Sequence, residues 1–460
     1  MASVRYIVLA ACQSAGLYTQ AGWESEAAAW IEKQGSRPCA YVGYRQGQGV
    51  AGFDNVSVVF GGSDPRAALR RVRDSLERSL EFRSERQTEV GGYPALVMTA
   101  RSKRRVYGVF GGGVKPTPPT PTVDYMYFEA QEANSTVALT STLTTAPNLE
   151  YSTDGETWQE WQHTTAEGTH TFDTLTLTAV GDRVYFRGDN PNGLGTMPEG
   201  ARIPLFSHFE MTGKIAAGGD IISLLDKDME MTEIPAYGLS FLFGDITEEN
   251  PNTSLTSAAA MPSLTTIGDN GCGSMYSGCT SLTAAAAMPS LTTIGNNGCS
   301  FMYDGCTSLT AAAAMPSLTT IGNNGCYNMY AGCTSLTAAA AMPAVTTIGE
   351  GGCADMYIGC TSLTAAAAMP AVTTIGEGGC TEMYIGCTSL TAAAAMPSLT
   401  TIGDNGCGGM YSDCTFNMSD NGTTLNFDFP TPPITAGETT YSTAYDVAAW
   451  MGNTNGFTEP

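Results

Sequence analysis

Beyond Lys227 this chain contains no lysine or arginine at all; residues 228–460 carry 19 acidic residues and nothing to offset them. Histidine is also scarce, with only His163, His170 and His208 among 460 residues, so a histidine-rich catalytic metal centre is not expected. No apolar run approaches the 18 residues of a membrane-crossing helix. Gly-x-Ser-x-Gly, Gly-x4-Gly-Lys-Ser/Thr and His-Glu-x2-His are all missing, which removes the familiar nucleophile, phosphate-loop and zinc-protease signatures. We therefore expect no enzyme activity, no cofactor and no metal. Nucleic acid is an unfavourable partner for a net charge of −23. With 14% charged and 43% hydrophobic residues, the chain is too apolar to be disordered throughout.

Charge is unevenly distributed. Residues 1–110 hold 15 basic and 10 acidic residues, and residues 111–227 hold 6 and 15. A basic N-terminal part and an acidic C-terminal part point to different tasks at the two ends.

The layout reads as multidomain. Residues 1–110 are expected to be an α+β attachment domain, with strands at Val4–Ala11, Val56–Phe60, Ala95–Ala100 and Arg105–Phe110 and a short helix at Trp23–Ile31. A second helix starts at Asp64-Pro65 and carries Leu69, Val72, Leu76 and Leu80 on one face. Residues 111–122, Gly-Gly-Gly-Val-Lys-Pro-Thr-Pro-Pro-Thr-Pro-Thr, form a linker; its glycines are no phosphate loop. Residues 123–205 are expected to be a small all-β, sandwich-like module of the immunoglobulin-like kind. Its strand candidates are Tyr125–Phe128, Leu149–Ser152 and Val184–Phe186, its turn signal is Asp154-Gly155, and Trp158 and Trp161 should pack across the sheet. Residues 206–251 form a lead-in segment and N-terminal cap, with Ala236–Gly244 (Leu239, Leu242, Phe243) as a degenerate first unit.

From about residue 252 to 414 the sequence repeats every 27 residues. Cysteines recur at 272, 299, 326, 353, 380 and 407 and again at 279, 306, 333, 360, 387 and 414. Such regularity defines a solenoid. Within one unit Leu282, Ala285, Met288, Leu291 and Ile294 fall every third residue and are expected to point inward. Cys299, Met302/Tyr303 and Cys306 suit one face of a short helical segment. Residues 415–460 leave the period and should cap the array, with a strand at Leu425–Phe429 and a helix at Thr443–Met451.

Three motifs, the Met-Tyr-x-Gly-Cys-Thr-Ser-Leu string, Met288-Pro289 and Ser290–Gly295, resemble the leucine-rich repeats of BspA-like surface proteins over roughly residues 230–418. That resemblance implies a repeat fold used for adhesion in bacterial surface proteins and some phage proteins. Alanine stands here where many such repeats carry isoleucine or leucine, which suggests a thin coil.

Two cysteines seven apart on a helix are about 10 Å apart along its axis, beyond the ~7 Å limit for a disulfide. Reduced cysteines stacked into core ladders are the adopted reading, with inter-coil disulfides or zinc as alternatives. Three positions per unit vary freely: the first, second and fifth after the first cysteine. The expected exposed, ligand-binding stripe comprises Ser300, Phe301, Asp304, Tyr327, Asn328, Asp355, Ile358, Glu382 and Ile385. Drift at solvated positions after recent duplication is the competing explanation.

The functional expectation is a non-enzymatic display protein. The first home is a phage virion, as a fibre, receptor-binding or decoration protein. There residues 1–110 dock on the particle and the repeats bind a host-surface protein or glycan. The alternative is a bacterial cell-surface adhesin, lipid-anchored at Cys12 through the box Leu9-Ala10-Ala11-Cys12. The apolar stretch before that box has only six residues, short of a secretory signal. An intracellular interaction scaffold is a third reading, and homo-oligomers fit any of the three.

Overall fold

The computed structural model describes residues 124–244 and 251–458 and, nearer the N-terminus, the backbone of five strands. The chain divides into two compact units, Met1–Thr117 and Pro118–Pro460. In the first, the spatial strand order is Tyr6–Val8, Cys39–Arg45, Asn55–Gly61, Tyr93–Ser102, Leu80–Val90. The first pair is parallel and the others antiparallel. The expected strands at 56–60 and 95–100 lie within two of these. Leu80 opens a strand instead of closing a helix, and Leu80–Val90 was hidden by its charge-rich sequence and a register shift between Phe82 and Ser84. The expected helices before residue 80, the strand Arg105–Phe110 and the Leu9–Cys12 box lie outside the described residues.

The second unit begins with two facing sheets. One contains Met126–Ala130, Arg183–Gly188 and Leu149–Ser152; the other contains Ser135–Ser141, Leu205–Thr212 and Thr169–Phe172. Strict alternation of buried and half-buried positions along Met126–Ala130 and Ser135–Ser141 is what a sheet with one core face requires. Phe128, Trp161, Phe186 and Phe209 meet between the sheets, with Trp161 donating its Nε1–H to the Asp173 carbonyl. Trp158 differs from expectation. It lies on the outer side against Tyr125, with the Arg187 guanidinium over its ring. The Asp154-Gly155 signal forms a side-chain-closed turn: the Asp154 carboxylate accepts from Thr157 and Glu156 N–H, which holds its pKa well below the usual carboxylate range.

The solenoid grows directly from these sheets. Ile215–Gly218 pairs antiparallel with Met126–Ala130 on one side and parallel with Leu255–Ser257 of the first coil on the other. Glu233–Ile234 then starts a seven-stranded parallel sheet that continues through Thr266–Ile267, Thr293–Ile294, Thr320–Ile321, Thr347–Ile348, Thr374–Ile375 and Thr401–Ile402. Every Thr pairs with the Thr of the next coil. Ala284, Ala311, Ala338 and Ala365 form a second line of bridges. The degenerate unit is in register, because Phe243 stacks on Tyr276 with ring centroids 5.1 Å apart.

Two expectations about the coil change. The inward alanine is Ala286, fully covered, while Ala285 is half-buried. The reason is the tyrosine. Tyr276, Tyr303, Tyr330, Tyr357, Tyr384 and Tyr411 stack 5.3–5.6 Å apart, within 3–5° of parallel. The Tyr303 hydroxyl accepts a hydrogen bond from Ala286 N–H across the coil at 2.9 Å, and the contact repeats at Ala313, Ala340, Ala367 and Ala394. A larger side chain there would occupy the ring's space, so alanine completes a filled core.

The cysteine-bearing segment is not a helix but a run of β-turns. In one coil the N–H groups of Gly298, Ser300, Met302, Asp304 and Cys306 each close a turn on the carbonyl three residues back. Those of Asn297, Cys299, Phe301, Tyr303 and Gly305 instead donate to the next coil. Cys299, Met302, Tyr303 and Cys306 still face the core. The spacing was right about the face and wrong about the element, because half the donors serve the neighbour. Gly322 has no side chain because the preceding coil approaches closely; a Cβ would lie 2.8 Å from the Gly295 carbonyl carbon.

The last coil is covered by the tail. Gly409 and Tyr411 N–H donate to the carbonyls of Trp450 and Met451, and Gly437 N–H donates to that of Ile402. The expected helix is Ala444–Trp450, opened by a capping box between Thr443 and Asp446. The expected strand at Leu425–Phe429 is a loop. Its Leu425, Phe427 and Phe429 pack against the core, so their alternation reflects burial without sheet pairing.

Candidate ligand-binding surface

Each turn run contains three residues in the left-handed backbone region, four apart: Asn297 (φ 54°), Phe301 (φ 56°) and Gly305 (φ 68°). The first position is always Asn or Gly (270, 297, 324, 351, 378, 405), and the third is Gly in every coil but the last, which has Asp413. Both suit the geometry. The middle position does not follow that rule. It carries Ser274, Phe301, Asn328, Asp355, Glu382 and Gly409, all at positive φ. This is the second of the freely varying positions. A bulky residue there costs roughly 1–2 kcal/mol of backbone strain, so the local conformation does not choose its identity. The alternation of Asn and Gly at the first position was the readable signal for this geometry.

The three variable positions differ in exposure. The first belongs to the scaffold: Ser300 is 7% exposed, and its hydroxyl donates to the Asn324 carbonyl. Ser240 and Thr381 make the equivalent bond. The expectation that Ser300 is an exposed stripe residue is corrected on this ground. Tyr327, also at the first position, is half-buried and meets Phe301 edge to face at 5.3 Å. At the second position Phe301 is 37% exposed and Glu382 is exposed, while Asn328 and Asp355 are half-buried. At the fifth, Asp304, Ile358 and Ile385 are half-buried. Phe301, Tyr327, Asp355 and Glu382 thus occupy four successive coils in one line of turns, with Ile358 and Ile385 three residues past the two acids.

Asp355 has one carboxylate oxygen buried without a hydrogen-bond partner. Burial, and then the neighbouring Glu382 carboxylate, push its pKa up.

The other cysteine-ladder chemistry is internal. All twelve repeat cysteines are free and buried. Thiols of the second set donate to tyrosine carbonyls of the preceding coil, such as Cys333 to Tyr303 at 3.1 Å. Among the described residues no group of three His, Cys, Asp or Glu side chains is arranged to hold a metal ion, and no helix is long and apolar enough to cross a membrane.

Compared with known proteins, the chain matches no protein-family model, no curated protein and no solved structure.

Proposed function

We propose that this is a non-enzymatic binding protein displayed at a surface, whose solenoid recognises a host-surface protein or glycan through the line of turns bearing Phe301, Tyr327, Asn328, Asp355, Ile358, Glu382 and Ile385. The carrying observation is the middle left-handed position. Asn and Gly fill its flanking counterparts in the six repeats, Asp413 excepted, yet it holds Phe301 and Glu382 at a conformational cost. Drift at a solvated site does not favour a strained, one-third-exposed phenylalanine. The BspA-like motifs support the same reading, and the basic N-terminal unit suits attachment to a virion or envelope component.

The test uses the full-length protein on a glycan array and on bacterial and animal cells read by flow cytometry. The quadruple variant F301S/Y327S/I358S/I385S is expected to keep its circular dichroism spectrum and melting temperature and to lose binding at least tenfold. Equal binding by the variant, or no binding to any cell or glycan by the wild type, overturns the proposal. The virion reading predicts an unlipidated Cys12 still joined to Ala11. The lipoprotein reading, favoured by Leu9-Ala10-Ala11-Cys12, predicts a diacylated Cys12, and mass spectrometry separates the two.

A further inference from the structure

Resting on that binding reading, we infer that the partner is a basic, aromatic- or aliphatic-rich extended segment of a protein, with a lysine or arginine seated against Asp355 and Glu382 and apolar side chains against Phe301, Tyr327, Ile358 and Ile385. Charge complementarity selects this occupant. The surface belongs to a stretch, residues 228–460, with no basic residue of its own, so nothing within that stretch competes for an incoming cation. Asp355 and Glu382 occupy the same position in adjacent coils, about 4.8 Å apart by strand spacing. That is a backbone spacing; the two side chains are close enough for the Glu382 charge to act on Asp355, and one shared cation relieves such repulsion. Asp355 is half-buried, with one carboxylate oxygen enclosed, so an incoming cation would pair with its other oxygen and with the exposed Glu382.

The aromatic end selects in the same direction. Phe301 and Tyr327 meet edge to face, and aromatic ring faces attract cations as well as apolar groups. The four coils from Phe301 to Glu382 span three intercoil steps, roughly 14 Å. An extended chain covers that in about four residues at ~3.3 Å each, so one short basic-apolar segment reaches from the aromatic pair to the acidic pair. A neutral glycan would leave both carboxylates uncompensated.

The experiment titrates the full-length protein with a fluorescent pentapeptide, acetyl-Trp-Ser-Lys-Ser-Arg-amide, whose aromatic and basic side chains share one face of an extended chain, and with its counterpart in which glutamine replaces lysine and arginine. The basic peptide is expected to bind at least tenfold more tightly and to weaken between 50 and 500 mM salt. D355N/E382Q should lower its affinity at least fivefold. E350Q/E377Q removes the same charge from exposed positions of the same two coils, before their first cysteines, and should change it less than twofold. Equal affinity for both peptides, equal loss in both double variants, or no effect of D355N/E382Q overturns the inference. The two proposals fail separately. If F301S/Y327S/I358S/I385S abolishes cell binding while D355N/E382Q leaves it intact, the basic partner is wrong and the display reading stands. If the quadruple variant binds cells normally, the display reading falls first.

Discussion

The tyrosine hydroxyls set a residue-level rule for the solenoid. Five of the six repeat tyrosines accept from a buried alanine N–H, whereas the Tyr276 hydroxyl is buried with no partner. Tyr330→Phe leaves Ala313 N–H unsatisfied and should cost about 1–3 kcal/mol in urea denaturation. Tyr276→Phe removes an unpaired polar atom and should be neutral or stabilising in the same measurement. The left-handed middle position gives the opposite pairing of stability and function. Glu382→Gly, which installs the residue that Gly409 supplies one coil later, should raise stability by about 1 kcal/mol while weakening ligand binding. None of this was visible in residue types alone. A repeated Tyr reads as core, but which backbone group its hydroxyl reaches depends on how the coil folds back across its own interior.

At the scale of the element, the run from Gly295 to Cys306 shows where periodicity stops being informative. Spacings of three, four and seven identify a buried face, and Cys299, Met302, Tyr303 and Cys306 do share one. They do not distinguish a helix, whose donors stay within the segment, from a turn run that sends every second donor to the neighbouring coil. The Asn or Gly at the 297 position and the glycine at the 305 position carried that information. The inward cysteines follow from the same packing. In native protein at pH 8 the twelve repeat thiols should therefore be silent to a thiol reagent such as dithionitrobenzoate, counted in a C12S/C39S background, and react only on unfolding. Cys414, the least buried of the twelve repeat cysteines and pushed up to about 12 by burial, should react first.

Across the whole molecule, buried titratable groups and the covered ends govern behaviour. Burial raises the pKa of most repeat thiols and of all six stacked tyrosines; for Cys353 and Cys380 the thiol-to-thiol hydrogen bond comes first. These groups are neutral when folded. Their stabilising effect is complete below the unfolded thiol pKa of about 8.5 and is lost as pH rises toward the folded values. Each thiol contributes a slope of about 1.4 kcal/mol per pH unit. Ten thiols acting together exceed a typical domain stability of ~5–15 kcal/mol within about one to two units, so cooperative unfolding is expected between about pH 9 and 11, followed by circular dichroism. The covered ends matter for solubility. Deleting residues 430–460 removes the acceptors of Gly409 and Tyr411 and the donor to Ile402, leaving a bare edge. The truncated protein should sediment as larger, concentration-dependent species than the full chain does in velocity runs.

The amino-acid sequence by itself determined the 27-residue coil, the inward Cys, Met, Tyr, Leu and Ile positions, the degenerate first unit and the presence of a cap. These follow from composition and period, which survive any detailed path of the backbone. Tertiary structure alone decided that Ala286 and not Ala285 faces the tyrosine, that Ser300 belongs to the scaffold, that Trp158 lies outside the sandwich core, and that the sheet of the sandwich continues into the first coil. Each of those depends on contacts between residues 17 to 91 positions apart, and such pairings become definite only when the chain is folded.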